Sequence, residues 1–300
     1  MQFLYQYPDV RGADGDLLDA GPVGTVAAAV EAAGWHGFSF TEHPAPSAKW
    51  LEHGGHQTLD PFVALGHASA VTTRIRLLTY LAVVPYRNPL MLAKSAATLD
   101  QVSNGRFTLG VGTGYLKSEF FAVGADFSTR NARFDEALDV LPLAWSGEAF
   151  SYTGSDFEAR EVVCRPAAVQ QPIPIWIGGN ATITMRRVAE RAQGWMPMTT
   201  TPEVAATART PHVGFDDLAD RIAIVHTNAG TRAADLDVLV AYYDLDPTDP
   251  TVDAERHREA FDQLAEIGVT WIAVHGETVS TTATLEYIDA FGSTYCGAQR

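Results

Sequence analysis

Short apolar runs alternate with amphipathic stretches along the whole chain. Residues 3–7 predict a first strand, and 24–33 a helix that stops at Gly34, a residue suited to a helix C-terminus. The same rhythm continues with strands at 37–41, 75–84 and 106–112, and helices at 61–71, 89–102 (with Pro89 at its start) and 131–145. Residues 149–164 break it, alternating like a hairpin with Gly154 and Ser155 between the arms. Strands at 173–177, 194–198, 236–244 and 269–274 then alternate with helices at 182–191, 215–229, 252–267 and 281–291. The region 202–214 lacks regular patterning and is expected to be an insertion loop.

Eight strand–helix pairs in strict order, with no run of antiparallel strands, imply parallel strands joined by right-handed crossovers. Eight pairs favour a closed (β/α)8 TIM barrel of the α/β class over an open sheet, with insertion loops at the C-terminal face. No repeat or linker divides the chain, so residues 1–300 are expected to form one domain. A chain of this length buries about three quarters of its unfolded surface without disulfides or metals.

The net charge of −15 argues against nucleic acid or an anionic membrane as partner. Cys164 and Cys296 stand apart in no CxxC pattern, which fits a reducing compartment. The N-terminus lacks a basic, apolar leader, and no stretch approaches the roughly 20 apolar residues of a membrane span. A cytoplasmic protein is therefore expected.

In such barrels chemistry sits where strands end, which singles out four places. After the second strand come Thr41, Glu42, His43 and Pro44, where an acid beside an imidazole orients a substrate, exchanges a proton, or makes only a loop hydrogen bond. After the fourth, Gly110, Gly112 and Gly114 flank Thr113; they let backbone approach a flat ring or a phosphate, or serve close packing alone. Tyr115 breaks the spacing of a dinucleotide fingerprint. After the fifth, Gly178, Gly179 and Asn180 precede a helix N-terminus, an ordinary cap or a phosphate site to which Asn180 and Thr182 add donors. The fourth place holds Glu119, Arg130, Arg133 and Glu136, a set that most simply forms a solvated, salt-bridged face. His53 and His56 have HxxH spacing, but no third ligand is evident and no metal site is expected.

Three longer segments carry a resemblance: Arg87-Asn-Pro-Leu-Met-Leu-Ala-Lys94, Ser103-Asn-Gly-Arg-Phe-Thr-Leu-Gly-Val-Gly-Thr-Gly114 and Pro172-Ile-Pro-Ile-Trp-Ile-Gly-Gly179. Together with Ala97-Thr-Leu-Asp100, Glu119-Phe120, Gly124, Arg130, Arg133, Glu136, Trp145 and Gly194-Trp195, they resemble the luciferase-like flavin monooxygenases over residues 1–200. Within that superfamily the chain is most similar to the branch that uses the deazaflavin coenzyme F420.

The resemblance implies a tricyclic ring at the barrel mouth, facing Glu42 and His43, with Gly112, Thr113 and Gly114 along ring or tail. Gly178, Gly179 and Asn180 would take the phosphate. A non-proline cis peptide backing the ring would fall between residues 79 and 83, making Thr79, Tyr80 and Leu81 cofactor residues. The hairpin at 149–164 matches the family's insertion. The expected activity is hydride transfer between F420 and a small organic substrate, with His43 managing the proton and Glu42 positioning it. The alternative is a reduced-FMN-dependent monooxygenase that uses O2 and a separate flavin reductase. Tyr115 stands where sugar-phosphate-oxidising relatives carry an acid, which argues against such substrates. A homodimer through the early helices is expected, Trp50 is a candidate lid or loop anchor, and residues 44–58 and 199–214 are expected to form the substrate walls.

Overall fold

The computed structural model describes residues 1–199, 202–207, 210–276 and 280–297. Eight parallel strands close into a barrel: β1 (Gln2–Gln6), β2 (Gly37–Phe40), β3 (Arg76–Thr79), β4 (Phe107–Gly112), β5 (Ile175–Gly178), β6 (Gly194–Met196), β7 (Asp237–Ala241) and β8 (Trp271–Val274). Closure is shown by β1 pairing with β8, Gln2 beside Trp271, and by β4 pairing with β5, Leu109 beside Ile175. Eight helices surround it: α1 (Val23–Ala32), α2 (Pro61–Ser69), α3 (Pro89–Val102), α4 (Arg130–Trp145), α5 (Thr182–Arg191), α6 (Phe215–Ala229), α7 (Ala254–Glu266) and α8 (Thr281–Phe291).

Strand alternation sorts side chains into two layers. Leu4, Leu78, Trp176, Met196, Leu239, Trp271 and Ala273 fill the barrel, with Tyr80 and Leu81 packed on them from above. Phe3, Tyr5, Phe38 and Phe107 point outward into the core beneath the helices. The last helix closes the ring on the first turn of the chain, where Trp35 stacks on Phe291 and donates its indole N–H to the Ile288 carbonyl at 3.1 Å.

Local chemistry sets the helix starts. Asp60 accepts from the Phe62 and Val63 N–H groups, with Pro61 next, and Asn88 does the same for Leu90 ahead of Pro89. Residues 202–214 depart from the expected loop, because Pro202–Thr207 forms a short helix; residues 200–201 and 208–209 lie outside the described set. The hairpin is present, Ala149–Thr153 against Glu158–Val163, within the α4–β5 connection. Its turn is held by Glu136, which accepts from the Ser155 and Asp156 N–H groups.

The feature of the wall that matters most for the mouth lies after β3. Leu78 pairs with Thr108, yet pairing resumes at Ala82 beside Val111, so one extra residue bulges there. The cis peptide expected in this stretch joins Tyr80 and Leu81. Close approach makes the bulge possible: Thr79 donates its hydroxyl to the Gly110 carbonyl at 2.7 Å, and a Cβ at Gly110 would overlap the Thr79 carbonyl oxygen. Gly110→Ala is therefore expected to lose roughly 2–4 kcal/mol of stability in urea denaturation. Wild-type stability in that variant would contradict the close approach.

Candidate active site at the barrel mouth

The loops after β1, β2, β3 and β4 converge on one polar cluster. Glu42, 4% exposed, accepts from the Val83 N–H at 2.6 Å and pairs with the Arg87 guanidinium. Burial raises its carboxyl pKa against the lowering pull of Arg87. Glu42 thus holds the far side of the bulge and not His43, so its expected role as the partner positioning His43 is corrected.

That partner is Glu119. Its carboxylate is fully buried; Oε2 lies 3.1 Å from His43 Nδ1 and accepts from the Tyr86 hydroxyl at 2.9 Å, while Oε1 accepts from the Ala45 N–H at 3.2 Å. This corrects the reading of residues 119–136 as one solvated face. Glu136 does serve the surface, holding the hairpin turn, and Arg130 lies over the Phe127 ring at 3.8 Å. Glu119 instead enters the mouth, carried by the short helix Lys117–Ala122. A carboxylate facing His43 Nδ1 favours the tautomer with hydrogen there, leaving Nε2 as the acceptor.

Aromatic residues surround the imidazole. Its ring centroid lies 4.6 Å from Trp50, 4.7 Å from His56 and 6.2 Å from Tyr115. Trp50 belongs to a helix, Ala48–Glu52, capped by Ser47. The HxxH pair diverges: His53 turns to the Lys49 carbonyl at the exposed side, while His56 turns inward. A two-residue ribbon, Val10–Arg11 against His56–Gln57, explains the inward turn.

The same ribbon brings in Asp9, which no sequence pattern signalled. Asp9 accepts from the Thr41 hydroxyl at 2.7 Å and the Gln6 amide at 3.1 Å, and its Oδ2 lies 3.4 Å from His56 Nε2. Burial pushes the Asp9 carboxyl up to about 6, and burial with the neighbouring His43 pushes His56 down to about 3. Close to Asp9 and Arg11, Tyr243 packs against His275, and burial raises the phenol. Tyr243 is nevertheless 61% exposed, so its ring offers aromatic surface at the rim.

The predicted cofactor residues fall into three groups. Tyr80 and Leu81 top the barrel interior, and burial raises the Tyr80 phenol. Gly112 and Gly178 make room for Leu81, since a Cβ at Gly112 would lie 2.6 Å from Leu81 Cδ1 and one at Gly178 would overlap Cδ2. Gly114, at φ +75°, similarly makes room for Val83 and Phe120, and Thr113 beside it is half-buried. The glycines thus seat the bulge, which presents Leu81 as an apolar ledge. Gly179 adopts φ +116°, and α5 begins just beyond it with no side-chain cap. The Asn180 side chain is occupied: it donates to the Met198 and Pro211 carbonyls and accepts from the Met198 N–H, all at 2.8 Å. Its side chain thereby holds those loops around the helix terminus. Trp176 lies inside the barrel, and Trp195 donates to the Gly179 carbonyl at 2.9 Å.

The family model described as luciferase-like monooxygenase matches residues 1–239. The chain belongs to the luciferase-like monooxygenase family. An uncharacterised Mycobacterium tuberculosis protein is 39% identical over 147 residues, 49% of this chain and 51% of that protein. An FMNH2-dependent dimethylsulfone monooxygenase of Pseudomonas putida is 28% identical over 137 residues, 44% of this chain and 38% of that protein. The chain thus spans about half the length, or less, of the curated relatives it matches. Two solved structures share the fold. An F420-dependent secondary alcohol dehydrogenase, in complex with an F420–acetone adduct, has a TM-score of 0.74 at 17% identity, over 98% of this chain and 97% of that one. The oxygenating constituent of a type II Baeyer–Villiger monooxygenase from Pseudomonas putida, in complex with FMN, has 0.73 at 15%, over the same shares. The family description makes the chain an oxidoreductase of the monooxygenase kind. None of the described helices is long and apolar enough to cross a membrane.

The raised Asp9 pKa has a definite sign. The folded chain holds that proton more tightly than the unfolded chain, so the contribution is complete below about pH 4 and is lost as pH rises through about 6. Asp9→Asn removes the titration, and the difference between wild-type and variant stability is expected to change by roughly 2–3 kcal/mol from pH 4 to 7. Urea denaturation across that range checks it; a difference independent of pH would contradict it.

Proposed function

We propose that the protein transfers a hydride between the deazaflavin coenzyme F420 and a small organic substrate bound over the barrel mouth. The observation that carries this reading is His43, anchored through Nδ1 to buried Glu119, while its Nε2 takes no hydrogen bond among the described residues. Oxidising an alcohol removes a hydride from carbon and a proton from oxygen, and His43 Nε2 is the group placed to receive that proton. Glu119 stabilises the imidazolium that results, as a buried carboxylate beside a positive ring does.

The residues fit a flat ring with an anionic tail. Leu81, seated on Gly112 and Gly178, offers an apolar ledge, with Tyr80 and Tyr243 adding aromatic surface. The uncapped N-terminus of α5 beyond Gly179 suits the tail phosphate. When bound, F420 supplies a two-electron hydride carrier; the chain supplies orientation and a place for the proton. Trp50, beside His43, serves as a substrate wall. The same reading extends to a homodimer through α2 and α3, where Val63, Met91 and Val102 stay exposed. The second reading is oxygenation by reduced FMN supplied by a separate reductase, and the matching segment of the FMNH2-dependent relative favours it.

Titration with oxidised F420 and, separately, with FMN, followed by Trp50 fluorescence against a Trp50→Phe control, separates the two. F420 is expected to bind at least about tenfold more tightly. Tighter FMN binding, with O2 uptake once reduced FMN is supplied, would overturn the hydride reading. With a substrate found, His43→Asn is expected to lower kcat roughly 10²- to 10⁴-fold while cofactor affinity stays unchanged; unaltered kcat would remove His43 from the chemistry.

A further inference from the structure

The mouth holds two imidazoles, each backed by a carboxylate. His43 faces Glu119 through Nδ1 at 3.1 Å, and His56 faces Asp9 through Nε2 at 3.4 Å. The rings meet edge to face, 4.7 Å between centroids at 87°, and Trp50 packs on both. His56 Nε2 is buried and makes no hydrogen bond of good geometry, although Asp9 Oδ2 is its nearest counter-charge. Burying an imidazole nitrogen without a full partner costs stability, so a fold that needed His56 only as a wall would do better with an apolar ring.

We propose that His56, with Asp9 behind it, is the second proton carrier of this site: it conducts the proton that His43 receives from the substrate out to Asp9. The proposal rests on the reading of His43 given above. In substrate oxidation the hydride leaves with the cofactor and the proton arrives at His43 Nε2. It crosses to His56 through a solvent water, because the edge-to-face contact provides no direct hydrogen bond between the rings. An N–H bond forms at His56 Nδ1 as the N–H at Nε2 breaks, and the proton crosses the 3.4 Å gap to Asp9 Oδ2 through a second water. From Asp9, at the rim and 14% exposed, it leaves to bulk water. Exchange of the ring protons with solvent then restores the starting tautomer. Reduction of a carbonyl runs the same path inward.

The surroundings suit conduction more than storage. His56 is held neutral near neutrality by its burial and by His43 and Arg11, so charge does not accumulate on it. Asp9 both takes and releases a proton close to neutral pH. The other titratable and charged groups around the pair are Arg11 on the ribbon, Tyr115 and Glu119 after β4, Tyr243 after β7 and His275 after β8. Burial raises both phenols and lowers His275, so these three hold neither an acidic proton to give nor a strong base to take one.

The test uses the full chain without cofactor, so it stands whether the ring is F420 or FMN. Side-chain histidine NMR relaxation dispersion near the His43 titration midpoint, in low buffer, reads how fast that ring gains and loses its proton. His56→Gln and Asp9→Asn are each expected to slow this exchange at least about tenfold, and free imidazole to restore it in His56→Gln. Exchange within about twofold of wild type in both variants, with the His43 resonances otherwise unchanged, would overturn the relay and leave His56 a wall residue. Slowed exchange in a protein that prefers FMN would keep the relay and sink only the F420 reading.

Discussion

Buried carboxylates bind the loops of the barrel mouth into one surface. A charge taken out of water must be met by hydrogen bonds, and Glu119 meets that demand with the His43 imidazole, the Tyr86 hydroxyl and the Ala45 N–H. Those partners come from the loops after β2 and β3, while Glu119 itself follows β4. Glu42 makes a second tie from the end of β2 to Val83 and Arg87 beyond the bulge. The two carboxylates hold the imidazole at one side of the mouth and the Leu81 ledge at another. The polar machinery is thus positioned by loops, yet it is as constrained as the strands beneath.

The glycines complete that constraint from below. Gly112 and Gly178 yield their side-chain space to Leu81, and Gly110 yields its own to the Thr79 carbonyl. Small residues in β4 and β5 thereby let one extra residue of β3 rise into the mouth without opening the barrel. Under the proposed function, an apolar ledge beside a carboxylate-backed imidazole would separate two tasks, binding a flat apolar face and handling a proton. Hydride transfer to or from a carbon–oxygen bond needs both.

The barrel was legible because its signals are local. The helices Pro89–Val102, Thr182–Arg191, Phe215–Ala229 and Thr281–Phe291 lie at the bounds their patterns predict, since proline starts and apolar periodicity act within a few residues. The cis peptide came from resemblance, whereas His43 stood out from its place at the end of the second strand. Partnerships across the mouth were not legible. Glu42 stands next to His43 in sequence, but adjacent residues at a strand end point apart, and the partner comes from 76 positions away. Asp9 and His56 meet through a ribbon of two residues per strand, too short for any periodicity to register. The amide of Asn180 looked like a phosphate donor, but the neighbouring loop carbonyls use it.

The most direct measurement is a crystal structure of the protein with oxidised F420. The deazaflavin ring is expected against Leu81, its reactive face toward the side of the mouth that holds His43, and the tail phosphate at the N-terminus of α5. A ring bound away from the Tyr80–Leu81 bulge, or a mouth that admits no ring while His43 and Glu119 stay paired, would contradict it.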